Sequence, residues 1–200
     1  MTDPVTPILG SALNRLVEAL GPDVRRKGPP PVERWNPPYC GEIDMRIATD
    51  GSWHYMGTPI NRPALVRLFA TVLRKDPERY VLVTPVERVG ITVEDVPFLA
   101  VEMAVEGEGE TRQIAFRTNL DDLVQVGPDH PLRFERDAQD GVRPYVLVRG
   151  GLWARLTRAL ALDLVGLGEE RAGDGEALFG VAVKDAFFPI APAAALDGLS

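Results

Sequence analysis

Two stretches of the chain, residues 43–91 and 132–190, contain the same order of predicted elements: a hairpin, a helix and two strands. In the first stretch, Asp50-Gly51 is a tight-turn signal and Pro63 suits the first turn of a helix. The second stretch is predicted to contain strands at 132–134 and 144–149, a helix from Leu152 to about Leu164, and strands at 178–183 and 187–190. The shared order predicts an α+β fold made by internal duplication, with antiparallel sheets in two packed domains.

The pattern divides the chain into three segments. Residues 1–39 contain an amphipathic helix at 8–20 and a Pro-rich linker, on which a basic triplet at 25–27 is predicted to be solvated. Residues 40–97 form the first α+β domain and residues 98–200 the second. The boundary is placed at Asp95-Val96-Pro97, and this short connection is the reason for expecting the two domains to pack together.

The net charge of the chain limits its partners. The chain carries 22 Lys and Arg residues against 29 Asp and Glu residues, which gives a net charge of -7. A broad electrostatic attraction to DNA, RNA or an anionic membrane is therefore not expected. Any anionic ligand must be held by a local group of basic side chains.

Cysteine content and hydropathy indicate a cytoplasmic protein. Cys40 is the single cysteine and cannot form an internal disulfide, which favours a reducing compartment. The N-terminus has no basic, apolar export signal. No run of 18 apolar residues without a charge occurs, so no membrane span is predicted.

Familiar catalytic and cofactor motifs are absent from the sequence. It contains no GxxxxGK[ST], GxGxxG, HExxH or GxSxG string. His54, His130 and Cys40 are too few and too far apart to form a four-ligand zinc site without carboxylates. We predict no catalytic residues, no metal and no cofactor.

Arginines next to the predicted helix starts are the strongest candidates for binding. Arg62 precedes Pro63, and Arg149 precedes Gly150-Gly151 at the predicted start of the second helix, with Arg155 one turn further on. Backbone N–H groups at a helix start attract anions, and the guanidinium group forms paired hydrogen bonds with phosphate or carboxylate. Ordinary capping and ion pairs with the excess acids explain the same spacing and stay open as the alternative.

Short strings between Cys40 and Ile190 are together specific enough to indicate a family. They are Cys40–Ile47, Asp50–Tyr55, Gly57–Pro63, Val83–Glu87, Val93–Phe98, Thr118-Asn119, His130–Arg133, Pro144-Tyr145, Val148-Arg149 and Phe187–Pro189. The chain resembles the bacterial family catalogued as domain of unknown function 1285. The resemblance implies a duplicated α+β core whose C-terminal half is loosely pleckstrin-homology-like. It also implies a ligand pocket between the halves for a nucleotide-like molecule, and a role in signal transduction.

Three functional hypotheses follow. The first is a non-catalytic sensor or regulatory protein that binds a small anionic, nucleotide-like or phosphorylated ligand at the domain interface, with a signalling protein as partner. The second is a protein–protein interaction scaffold, and the third, an enzyme, has the least support. The candidate ligand-binding residues are Asp44, Arg46, Arg62, Thr84, Glu87, Asn119, His130, Arg133, Arg149 and Arg155.

Overall fold

The fold consists of two units that each contain a six-stranded sheet. A computed structural model describes residues 30–137, 141–172 and 176–195, together with Glu18. The chain divides into Met1–Glu94 and Asp95–Ser200. The predicted helix at 8–20, apart from Glu18, and the basic triplet at 25–27 lie outside the described residues.

The N-terminal unit is one mixed sheet with one helix. Its elements are β1 (Tyr39–Ile47), β2 (Trp53–Tyr55), β3 (Thr58–Pro59), α1 (Pro63–Thr71), β4 (Leu73–Lys75), β5 (Tyr80–Val83) and β6 (Arg88–Val93), after a 3₁₀ turn at Val32–Arg34. The strand order is β3-β2-β1-β6-β5-β4, in which β1 and β6 are parallel and the other neighbours antiparallel. The predicted hairpin at Asp50-Gly51 and the helix at Pro63 are confirmed.

Apolar spacing explains how α1 docks on this unit. Val66, Phe69 and Ala70 lie on the buried side of the helix. The ring of Phe69 stacks on that of Trp53 in β2, with 6.3 Å between their centroids. The helix therefore packs on the sheet through these apolar residues, whose spacing in the sequence places them on one side of the helix.

The C-terminal unit contains a second six-stranded sheet and a small third one. Its elements are β7 (Phe98–Glu106), β8 (Gln113–Thr118), β9 (Leu123–Gln125), β10 (Leu132–Arg136), β11 (Val142–Arg149), β12 (Leu152–Leu156), α2 (Arg158–Gly166), β13 (Glu169–Ala172), β14 (Ala177–Val183) and β15 (Ala186–Pro192). The order of the large sheet is β10-β11-β12-β7-β8-β9, with β12 and β7 parallel, and the small sheet is β13-β14-β15. Helix α2 packs on β7, β11, β12 and β14, with Leu164 fully buried.

The prediction of a helix from Leu152 is wrong, because that segment is strand β12. Leu152, Ala154 and Leu156 are buried and the residues between them are half-buried, which is the two-residue period of a strand. Gly150-Gly151 form the turn between β11 and β12, with φ angles of 47° and 76° that favour glycine. The helix begins only after Thr157, so Arg149 does not precede a helix and Arg155 lies on a strand.

The order of elements differs from the predicted hairpin, helix and two strands, and the strands pair differently in the two halves. Three strands, a helix and three strands follow one another in β1–β6 and again in β10–β15. In the N-terminal unit the two groups of three form one sheet. In the C-terminal unit β10–β12 join β7–β9 instead, and β13–β15 form a sheet of their own.

Neither α1 nor α2 is long and apolar enough to cross a membrane, and the same holds for every helix in the described part of the chain.

Candidate functional site

Thr84 holds a turn of the N-terminal unit through its side chain, and Glu87 takes part in the same turn through its backbone. The side chain of Thr84 is buried, and its hydroxyl accepts hydrogen bonds from the amides of Val86 and Glu87 at 3.3 and 3.1 Å. The Thr84 hydroxyl also donates to the Glu87 carbonyl at 3.2 Å. Thr84 therefore satisfies the backbone of the turn between β5 and β6.

The other predicted residues of this unit lie at its surface. Arg46 forms an ion pair with Glu94, whose carboxylate also accepts the Thr49 amide at 2.9 Å. The Thr49 amide, and secondarily the Arg46 guanidinium, hold the pKa of Glu94 below its ordinary value. Asp44 is exposed, and Arg62 is an exposed residue that precedes α1 without a side-chain cap. These residues form ordinary surface contacts.

Asn119 and His130 bind backbone groups in the C-terminal unit. The Asn119 side-chain oxygen accepts a hydrogen bond from the Leu99 backbone amide at 3.0 Å. The backbone amide of Asn119 donates to the Leu99 carbonyl at 2.8 Å. The His130 Nδ1 lies 3.0 Å from the carbonyl oxygen of Leu147. Both side chains hold neighbouring strands, which accounts for their positions without a ligand.

Arg133 stacks on two aromatic rings and Arg149 pairs with a carboxylate. The Arg133 guanidinium carbon lies 4.7 Å from the ring centroid of Tyr145 and 4.4 Å from that of Trp153. Arg149 donates to Asp122 at 2.9 Å. Arg149 and Gly150-Gly151 thus belong to a strand and its turn, and the predicted anion site at a helix start is not present there.

Arg155 is the predicted residue that the structure places in a cleft. It donates to Asp95 at 3.1 Å, and the hydroxyl of Tyr145 donates to the same carboxylate at 3.2 Å. Burial raises the pKa of Tyr145 above its ordinary value, and the Asp95 carboxylate adds to this rise. The Asp95 carboxylate therefore links Tyr145 of β11 to Arg155 of β12 next to the cleft.

The cleft has a volume of about 900 Å³ and lies between the end of β12, the start of β11 and one side of α2. Apolar contacts come from Leu99, Pro144, Leu156, Ala161, Leu162 and Val165. Arg143, Arg155 and Arg158 also line it, together with one acidic side chain, Asp137. The volume falls within the range of small-molecule sites in proteins.

Two of the three cleft arginines keep their donors available. Arg143 is half-buried and Arg158 exposed, and the side chain of neither forms a hydrogen bond or ion pair with any residue that the structure describes. The one cleft carboxylate is engaged, since Asp137 accepts the Gly141 amide at 2.8 Å. The cleft therefore has a local excess of positive charge in a chain whose net charge is -7.

The described lining of the cleft offers few polar groups besides its arginines. These are the carboxylate of Asp137 and the hydroxyl of Thr157, and the lining contains no histidine, cysteine, serine or lysine. No group of three or more His, Cys, Asp or Glu side chains suited to a metal ion occurs among the described residues.

A second, smaller cavity of about 400 Å³ lies in the N-terminal unit. Tyr39, Asp76, Arg79 and Arg88 are among its lining residues. Arg88 donates to Asp76 at 3.0 Å, and Arg79 donates to the Tyr39 hydroxyl at 2.8 Å. The hydrogen bond from Tyr39 to Glu42 raises the pKa of the Tyr39 hydroxyl. Because both arginines are already paired, this cavity is a weaker anion site than the cleft.

Sequence reasoning missed Arg143 and Arg158. They lie on different elements, at the start of β11 and the start of α2, and no local motif connects them. A partial signal was present in α2 itself, because Arg158, Ala161, Leu162 and Val165 recur at helical spacing. That stripe was obscured when the helix was predicted to begin at Leu152.

Comparisons with known proteins cover most of the chain. The model described as Domain of unknown function (DUF1285), N-terminal domain, matches residues 30–96. The model described as Protein of unknown function (DUF1285), C-terminal domain, matches residues 97–190.

Two solved structures are similar. A DUF1285 family protein from Silicibacter pomeroyi DSS-3 is 47% identical, with 86% of this chain and 92% of that chain covered and a TM-score of 0.79. A DUF1285 family protein from Shewanella baltica OS155 is 27% identical, with coverages of 62% and 91% and a TM-score of 0.49. No curated protein matches.

Proposed function

The chain belongs to the DUF1285 family, whose description gives no activity, and we propose from its own geometry that it is a non-catalytic protein that binds a small anionic ligand. The observation that carries this proposal is the pair Arg143 and Arg158, which face an apolar cleft without an ion pair to any described residue. An arginine pair of this kind binds carboxylate or phosphate strongly, because its hydrogen bonds are charge-assisted.

The proposal places the ligand in the cleft of the C-terminal unit. Of the ten residues proposed from the sequence, Arg155 lines this cleft. Thr84 and Asn119 hold backbone groups, and Arg149 pairs with Asp122, so these side chains have structural roles that compete with ligand binding. A nucleotide-like ligand at the domain interface and a role in signal transduction rest on the family resemblance. The scaffold function remains the alternative.

We also infer an internal duplication that relates residues 43–91 to residues 132–190. Its support is the order of three strands, helix and three strands in β1–β6 and again in β10–β15. The order of the two large sheets gives a different correspondence, in which β7–β12 match β1–β6. The loosely pleckstrin-homology-like character of the C-terminal half is supported by the resemblance alone.

A thermal-shift screen of the full chain tests the binding function. The panel contains inorganic phosphate, nucleotides, phosphorylated metabolites and carboxylates. A ligand at 100 times its Kd stabilises the folded state by about 2.7 kcal/mol, which raises the Tm of a protein of this size by about 5–10 °C.

The matched controls are single Arg→Gln variants. Arg143→Gln and Arg158→Gln are expected to remove the shift, whereas Arg62→Gln, an equal charge change in the N-terminal unit, is expected to leave it unchanged. A shift that survives both cleft variants and disappears in Arg62→Gln contradicts the cleft site. No shift with any panel member contradicts anion binding and favours the interaction scaffold.

A further inference from the structure

We propose that the ligand of this cleft is an aliphatic anion, meaning a hydrocarbon chain that ends in a carboxylate or phosphate, and not a nucleotide. The inference rests on the proposed binding function and specifies its ligand. It follows from the way α2 divides its apolar residues between two sides of the helix.

Helix α2 has one apolar side in the core and another that faces the cleft. Leu164 is fully buried, whereas Leu162 on a different side is 67% exposed. Ala161, Leu162 and Val165 follow Arg158 at positions i+3, i+4 and i+7, so the four side chains form one stripe along the helix. Core packing does not account for Leu162, because Leu164 makes the core contact from a different side of the helix.

The sheet adds further apolar residues to the cleft. Leu99, Pro144 and Leu156 belong to its lining, where Leu99 is half-buried and the other two are buried. Burying the apolar surface of a ligand in this lining removes it from water, and that transfer is favourable in proportion to the area buried. A hydrocarbon chain is the group that gains most from a lining of this kind.

Positively charged side chains also line the cleft, and they favour a ligand with an anionic head group. Arg158 begins the helical stripe, and Arg143 and Arg155 approach from β11 and β12. Arg155 pairs with Asp95, and the one lining carboxylate, Asp137, accepts the Gly141 amide. An anionic head group therefore finds the charged donors of Arg143 and Arg158 in the same cleft as the apolar residues.

A nucleotide fits this lining less well. Recognition of a base commonly uses an aromatic ring for stacking and amide or hydroxyl groups for the base edge. The described residues that line the cleft include no aromatic ring and no Asn or Gln, and their single hydroxyl belongs to Thr157. A phosphate would be bound, but the base would meet only aliphatic side chains.

Calorimetric titration of the full chain with hexanoate, octanoate and decanoate, all below their micelle concentrations, tests the proposal. Each methylene that becomes buried is expected to lower Kd by up to about fourfold. Octyl phosphate is titrated beside octanoate to decide which head group the arginines prefer. Adenosine monophosphate is the nucleotide control, and inorganic phosphate is the control without a chain.

Two substitutions distinguish binding of the ligand's hydrocarbon chain from binding of its anionic head group. Leu162→Gln is expected to reduce the dependence on chain length, whereas Leu123→Gln, at a 79% exposed leucine on β9, is the matched control and should leave it unchanged. Arg158→Gln is expected to weaken every anion in the series. Because Leu162 and Arg158 are exposed, both variants should fold.

The outcomes distinguish this inference from the proposed function. Arginine-dependent binding of adenosine monophosphate or phosphate, with no effect of chain length, overturns the aliphatic ligand and leaves anion binding intact. Absence of arginine-dependent binding by any of these anions overturns both. Binding to phosphatidylglycerol vesicles without binding to the free amphiphiles, or a dimer in which Leu162 becomes protected, would also overturn the aliphatic ligand.

Discussion

Replacement of Arg74 by methionine should strongly destabilise the N-terminal unit. Arg74 is 8% exposed, and its guanidinium donates to the carbonyl oxygens of Val32 and Trp35 at 2.9 and 2.7 Å. It also donates to Asp76 at 2.7 Å through Nε. One buried cation therefore fixes the segment before β1 onto β4.

The expected cost is about 3–5 kcal/mol of the free energy of unfolding. Two carbonyl oxygens lose charge-assisted hydrogen bonds worth about 1.5–3 kcal/mol each. Breaking a buried ion pair by removing one partner costs about 3–5 kcal/mol on its own. The two figures overlap, because both count the loss of the same guanidinium, and they are not added. The cost is also limited because Asp76 keeps its contact with Arg88 at 3.0 Å, and methionine retains part of the apolar packing.

Amide hydrogen exchange of the full chain measures this effect unit by unit. Buried amides of β5, such as that of Leu82, report the N-terminal unit, and that of Phe116 in β8 reports the C-terminal unit. Arg74→Met should lower protection in β5 by about 100-fold or more, since 1.4 kcal/mol is tenfold, and leave β8 unchanged. Arg79→Met removes an exposed arginine from the same hairpin and is the matched control.

Equal losses of protection in the Arg74 and Arg79 variants would refute the reasoning, because the argument depends on burial. A loss below tenfold in Arg74→Met would show that water replaces the guanidinium at the two carbonyl groups.

Three further predictions concern the core, a surface carboxylate and the cleft. Leu164→Ala should destabilise the C-terminal unit by about 2–5 kcal/mol in urea unfolding, because a fully buried side chain leaves a cavity; a cost below 1 kcal/mol would contradict its place in the core. The pKa of the Glu94 carboxyl, followed by NMR titration, should lie below the ordinary value of a glutamate, so its stabilising contribution is present at neutral pH and lost as the pH falls. In Arg46→Gln this pKa should rise but stay below the ordinary value, because the Thr49 amide is the larger cause; an unchanged pKa would contradict the contribution of Arg46. Asp95→Asn should tighten octanoate binding, because the neighbouring cleft arginine loses a competing carboxylate; weaker binding would instead make Asp95 a positioning residue.

Local sequence signals predicted the N-terminal unit well. Asp50-Gly51 and Pro63 encode a turn and a helix start through backbone geometry that neighbouring residues cannot easily override. At Leu152–Leu156 the signals conflicted, because leucines spaced by four residues suit a helix while the alternation Leu-Trp-Ala-Arg-Leu suits a strand. The turn at Gly150-Gly151 decides between them, since it returns the chain directly into antiparallel pairing.

The candidate site was harder to predict because its parts meet only after folding. Arg143 lies at the start of a strand and Arg158 at the start of a helix, and each alone reads as an ordinary surface charge. Arg155 was selected for a position on a helix, yet it lines the cleft from a strand. Sequence spacing within one element gives no information about which residues of a different element will face it.

The parallel pair at the centre of each large sheet has a consequence for biosynthesis. β1 is the first strand of its sheet to leave the ribosome, and its parallel neighbour β6 is the last. Until Val93 has emerged, β1 presents an unpaired edge that invites association with other nascent chains. The same delay recurs for β7, which waits for β12. The central pair of each sheet therefore forms last, and a chain truncated before β6 or β12 would expose the centre of the sheet and not its rim.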